Sequence, residues 1–246
     1  MNSKKIKPQF IKKTNPRVGL IVLATDVMIE RDFLKVFNGI SADLFVNRIT
    51  NYNPVTADNL KKMTNNITSV TENILPGEKI DCIVYGCTSG TIVSGYDNIK
   101  KKINLAKPDA NVTAPSTAVL NALKKKKINK ISIVTPYIKS VNDDVVNFFK
   151  NNNFEITSNT YFDIKSDIDI GKVAQDKLFD ILSSIDHKNA EALFVSCTSL
   201  PVLNIIEKLE KKLNITVLSS NQALIWETLE KINRNNFIKG YGSLFF

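Results

Sequence analysis

Eight short apolar runs rich in β-branched residues punctuate the chain: VGLIVLAT (18–25), ADLFV (42–46), DCIVYG (81–86), NVTA (111–114), KISIVTP (130–136), FEITSNT (154–160), EALFVS (191–196) and NITVLS (214–219). The segments between them carry helical spacing of apolar residues, so the chain reads as strand, helix, strand throughout. Alternation of this kind, without hairpin signals, predicts parallel sheets covered by helices on both faces. The last four runs repeat the first four after about 103 to 112 residues, which is the mark of an internal duplication. The predicted fold is therefore α/β, with two pseudosymmetric domains, each a four-stranded parallel sheet flanked by helices, and a ligand cleft between them.

The duplication extends to letters. YGCTSG (85–90) and VSCTSL (195–200) set Cys87 and Cys197 in the same word, Cys-Thr-Ser, each directly after an apolar run. NVTAPS (111–116) and NITVLS (214–219) share Asn-x-Thr-x-x-Ser before a helix. In open parallel sheets ligands gather outside the carboxyl ends of the strands, where both cysteine words fall. Two similar halves facing one another would bring the thiols to opposite walls of one cleft, as a reaction needs when a proton leaves one face of a carbon and returns on the other. The expected lobes are 17–115 plus 219–246 (N-terminal) and 116–218 (C-terminal), preceded by a basic tail, 1–16.

Composition narrows the classes. With 246 residues, 43% of them apolar, the chain is long enough to bury a sizeable core. No apolar run spans a bilayer, and MNSKKIKPQFIKKTNP lacks the apolar centre of a signal peptide, so the expectation is a cytoplasmic protein with no membrane partner. The formal charge of +9 comes from lysines spread along the whole chain, and the run Lys124 to Lys127 has no interleaved aromatics, so no nucleic-acid partner is expected. Three cysteines, one histidine and no CxxC spacing argue against a metal, and the absence of GxGxxG and GxxxxGK[ST] argues against a nucleotide cofactor.

A thiol at a strand end, facing the amides of a helix N-terminus, is expected to favour thiolate. Thr88 and Ser89 would offer hydroxyls and amides to a carboxylate. Cys82, inside its run, reads as core; His187, in IDHKNAE, reads as a polar connection; Ser116 reads as a helix cap; Glu30 and Arg31 read as a solvated first turn.

GLIVLATDVMIERDF, YGCTSG, APSTAVLNAL, VTPY, DIKSDIDIGKV and VSCTSL, in that order, resemble the Asp/Glu racemase superfamily, in its branch of maleate cis-trans isomerases and arylmalonate decarboxylases. The resemblance implies two pseudosymmetric α/β domains with the active site between them and no cofactor. It places Cys87 where the isomerases have a nucleophilic cysteine and the decarboxylases a glycine, and Cys197 on the cysteine both groups use for proton transfer. Thr88, Ser89, Tyr137 and Thr198 fall among the groups that hold the substrate. The isomerases carry asparagine where this chain has Asp26 and Asp167, with Asp169 as the alternative register for the second; Asp26 reads equally as the N-cap of a helix begun by VMIERDF. An aspartate in a dry pocket repels a second carboxylate and suits an ammonium or hydroxyl group, so an amino acid or its derivative is expected in preference to maleate. LATD...ERDF is also similar to racemase-like proteins of ectoine-utilisation operons, which makes an ectoine-degradation intermediate one such substrate. The expected activity is a cofactor-independent isomerase or racemase of a small carboxylate. A maleate isomerase, an arylmalonate-type decarboxylase and a non-catalytic two-lobed binding protein are the rivals, and a homo-oligomer is left open.

Overall fold

The computed structural model describes residues 3–10, 15–234 and 238–246; parts of the expected basic tail, 1–2 and 11–14, lie outside the described residues. Two four-stranded sheets are present, and every strand pairing is parallel. The first contains β1 (Arg17–Leu23), β2 (Asp43–Ile49), β3 (Cys82–Gly86) and β4 (Asn111–Thr113), in the order β2-β1-β3-β4. The second contains β5 (Lys130–Thr135), β6 (Glu155–Tyr161), β7 (Ala192–Val195) and β8 (Thr216–Ser219), in the order β6-β5-β7-β8. The same order appears twice, as the duplication predicts.

Burial explains which runs became central. β3 and β7 are buried at every position, and β1 at all but its first, the continuous apolar pattern of a strand covered on both faces. The edge strands β2 and β6 keep partly exposed residues along their length. Along β1, Val18, Leu20 and Val22 enter a core shared with the second sheet, while Ile21 and Leu23 enter a smaller core on the opposite face with Ile49, Met63, Ile83 and Cys87. The shared core runs through both lobes, taking in Ile131, Ile133, Phe194, Leu218 and the helix Ser220–Lys231. That helix packs on Pro115–Lys125 and touches β3, β4 and β8.

Sheet register corrects one feature of the repeat. Cys82 and Ala192, each five residues before its Cys-Thr-Ser word, pair with Asn111 and Thr216. Asn111 is thus equivalent to Thr216 and not to Asn214; Ala114, Pro115 and Ser116 correspond to Ser219, Ser220 and Asn221. The shared Asn-x-Thr-x-x-Ser is two residues out of register. Asn214 instead ends the helix Ile206–Leu213 in the left-handed region (φ 55°), a position asparagine tolerates.

β3 must end in a residue without a side chain. A Cβ on Gly86 would stand 2.6 Å from Ile29 Cδ1 and 2.9 Å from the Ile21 carbonyl oxygen, and the backbone oxygen cannot yield. Gly86→Ala should therefore lower stability by about 1–3 kcal/mol, read as a lower urea midpoint at unchanged slope.

Candidate active site

Seven of the eight side chains singled out in the sequence line one nearly closed cavity of about 20 Å³, room for about one water. They are Cys87, Thr88, Ser89, Tyr137, Asp167, Cys197 and Thr198. Asp26 is the exception. It is fully buried and does not line the cavity; its Oδ1 accepts from the Met28 and Ile29 amides (2.8 and 3.0 Å), capping the helix Ile29–Phe37. Of the two readings the sequence offers for Asp26, helix cap and ligand contact, these hydrogen bonds fit the cap.

The two cysteine words are built differently. Cys87 directly follows β3 and is the N-cap of the helix Thr88–Ser94, with its Sγ accepting from Gly90 N at 3.2 Å and standing 3.9 Å from Ser89 Oγ. There is no room for more: a Cβ on Gly90 would meet that sulfur at 2.8 Å. Cys197 does not open a helix, contrary to the expectation from sequence. It has φ +99°, a left-handed backbone that costs a non-glycine residue about 1–3 kcal/mol, and the next helical turn begins only at Leu203.

Nor are the thiols poised as thiolates. Burial pushes Cys87 up to about 12, against the Gly90 amide and the Ser89 hydroxyl, which pull it down; the Asp167 charge adds to the rise. Burial and then Asp167 push Cys197 well above its ordinary value, tempered by the Tyr137 hydroxyl and the Ser199 amide. The helix terminus acts in the expected direction on Cys87, but desolvation is larger. Tyr137, on the turn after β5, is likewise raised well above its ordinary value by burial and then by the two neighbouring sulfurs.

Asp167 opens the helix Asp167–Gly171 and lines the cavity, whereas Asp169 is exposed and pairs with Lys172. Its Oδ1 accepts from Ser199 Oγ and its Oδ2 from Thr25 Oγ1, both at 2.8 Å. Burial first, then Asp26, raises it to about 6. Burial also raises Asp26, against the two capping amides and the hydroxyls of Thr198 and Ser199. Those hydroxyls donate to the Gly86 carbonyl (3.3 Å) and to Asp167, so Asp26 Oδ2 keeps no hydrogen-bonded partner.

Several contributors escaped the sequence reading. The roof comes from 51–63: Asn51, Tyr52, Val55, Asn59, Leu60 and Met63 line the cavity, with Leu23 beside them. Val55 N donates to Lys165 O (3.1 Å) and Asp167 N to Asn53 Oδ1 (3.3 Å), so the roof is fastened to the opposite lobe. Asp32, buried and raised to about 7 chiefly by burial, accepts from Asn221. The acidic first turn was legible, but its burial was not. Ser116 neither caps nor lines; its hydroxyl is buried without a partner, while Ser219 caps by accepting from Gln222 N (3.1 Å). His187 bridges Ser132 Oγ and the Leu182 carbonyl (2.9 Å each), and Glu30 pairs with Arg48 at 2.6 Å.

The buried acids set a pH dependence of stability. Asp167 titrates near 6 in the folded chain and near 3.8 when unfolded. Between those values the native state holds a proton that the unfolded state has lost, so stability falls as pH rises through the window and levels off above it. Asp167→Asn should be the more stable protein at pH 8 by on the order of 1–2 kcal/mol and lose that advantage by pH 4, as measured by urea denaturation at both pH values.

The arylmalonate decarboxylase family model matches residues 43–245. The maleate isomerase of Geobacillus stearothermophilus is 22% identical over 242 residues, covering 93% of this chain and 96% of that protein. The arylmalonate decarboxylase of Bordetella bronchiseptica is 26% identical over 136 residues, covering 54% and 57%. A structure of the Nocardia farcinica maleate cis-trans isomerase with a covalently bound succinylcysteine intermediate superposes with a TM-score of 0.86 at 20% identity, over 94% of this chain and 98% of that one. With the model matched over nearly the whole chain and the fold shared, this protein belongs to the arylmalonate decarboxylase family.

Proposed function

We propose that this protein is a cofactor-independent isomerase or racemase of a small carboxylate, with Cys87 and Cys197 as its two reacting groups. The observation that carries the reading is the convergence of both thiols, one from each sheet, on a single buried cavity beside four hydroxyl side chains. Residues 17–115 with 219–246 then form one wall and 116–218 the other. Thr88, Ser89, Tyr137 and Thr198 hold the substrate carboxylate. In racemisation one thiolate removes the α-proton while the other, as thiol, donates from the opposite face. In cis-trans isomerisation Cys87 adds to the alkene, the carbon-carbon bond rotates, and Cys197 supplies and recovers the proton. The succinylcysteine of the Nocardia farcinica enzyme supports the second route. Burial keeps both thiols protonated in the closed site, so ionisation belongs to the open site, before the roof returns.

Among the described residues that line the cavity none is Arg, Lys or His, and Asp167 is the one carboxylate. A substrate carrying an ammonium or hydroxyl group complements that wall, whereas a second carboxylate would face it unpaired. This favours an amino acid or a derivative, of which an ectoine-degradation intermediate is one example. Maleate is the second reading, favoured by the relatives' own activity. A thiol at 87 as well as at 197 weighs against simple decarboxylation, which needs a proton from one face only.

Proton NMR in deuterated water tests this with aspartate, glutamate, their hydroxylated and diaminobutyrate relatives, and maleate. Loss of an α-proton signal, abolished in both Cys87→Ala and Cys197→Ala, is the expected result. Undiminished turnover by Cys87→Ala would sink both routes, and fumarate from maleate would overturn the substrate preference while keeping the two-thiol chemistry.

A further inference from the structure

The pseudosymmetry of the two cysteine words breaks at the start of the helix Ser220–Lys231. Ser220 and Asn221 are buried (0% and 2% exposed) and neither lines the cavity. Ser220 Oγ accepts from Thr88 Oγ1 at 2.9 Å and from Cys197 N at 3.1 Å, so both lone pairs of one oxygen join the residue after the first thiol to the backbone of the second. Asn221 Nδ2 donates to the Thr198 carbonyl and to Asp32 Oδ2, both at 2.8 Å, and spends both of its protons there. Asp32 belongs to the helix Ile29–Phe37 of the first half, so the brace reaches across the molecule. The equivalents of this pair in the first half are Pro115 and Ser116: proline has no hydroxyl, and the Ser116 hydroxyl has no partner.

We infer that Ser220 and Asn221 are positioning residues: Ser220 fixes the two thiols relative to one another, and Asn221, anchored on Asp32, holds the Thr198 carbonyl and so the chain that leaves left-handed Cys197. Only the second word needs such a brace. Cys87 is held by the helix it caps, whereas Cys197 has φ +99° and no helix behind it. The catalytic consequence rests on the two-thiol reading; the geometric claim does not.

The test uses the third cysteine as an internal control. Cys82 is fully buried inside β3, away from the cavity, and reacts only if the fold opens. Iodoacetamide labelling, followed for each cysteine by peptide mass spectrometry on the full chain without substrate, gives three rates per variant. Ser220→Ala should speed labelling of both Cys87 and Cys197 about tenfold, the worth of a lost buried hydrogen bond, with Cys82 still protected. Asn221→Ala should speed Cys197 alone. Unchanged Cys87 and Cys197 rates in both variants would overturn the inference, and so would a parallel rise at all three cysteines, which is loss of fold. If Ser220→Ala cannot be obtained folded, Asn221→Ala decides: any pattern other than Cys197 alone overturns it. Because no substrate is present, absence of turnover on every carboxylate leaves this result intact and bears only on the proposed activity.

Discussion

The site depends on the burial of one helix, Ser220–Lys231, in the core that both sheets share. Its residues from Ser220 to Leu229 are all buried, polar ones included, so it behaves as a central post and not as a surface helix with one apolar stripe. Ala223, Leu224, Ile225 and Leu229 pack into the core shared by both lobes. Its buried polar groups must find partners inside the protein, because an unpaired one costs about 1–3 kcal/mol. Ser220 Oγ and Asn221 Nδ2 find theirs in the cysteine words and Asp32, and Glu227 accepts from Thr113 and Asn121, while Asn221 Oδ1 and Gln222 Oε1 are left without a partner. Satisfying the post therefore fixes the orientation of one lobe on the other, and with it the approach of the two thiols.

Dryness is the second governing condition. A cavity with room for about one water, roofed by Val55, Leu60 and Met63, penalises every charge within it. Thiols and phenol stay protonated and the carboxyls of Asp26, Asp32 and Asp167 are raised, all for the same reason. In such a medium a charge introduced by a substrate is matched strongly or rejected strongly. The roof that enforces dryness is fastened through a few hydrogen bonds from Asn53 and Val55, an arrangement able to open at modest cost, since each such bond is worth only about 1 kcal/mol net.

The two thiols, although written in the same letters, are unequal. Cys87 receives a helix amide, and Cys197 receives the Tyr137 hydroxyl and a strained backbone. A pair of groups that must occupy different protonation states at once gains from such inequality, because environment separates their proton affinities.

The sequence by itself determined the eight strands, the duplication, the family and half of the cavity wall. Parallel strands buried on both faces must be continuous apolar runs, and a site at their carboxyl ends lies within a residue or two of where those runs stop. Cys87, Thr88, Ser89, Cys197 and Thr198 were readable for that local reason. Tertiary structure alone decided what depends on distance between segments far apart in number. It buried Asp26 away from the cavity, put Asp167 and not Asp169 on the cavity wall, brought side chains from Asn51 to Met63 to the same wall and placed Ser220 between the two words. It also reversed the expected ionisation of the thiols. A helix amide is a local feature that the sequence can announce, whereas desolvation is the sum of everything packed around the sulfur, and only the folded chain contains that sum.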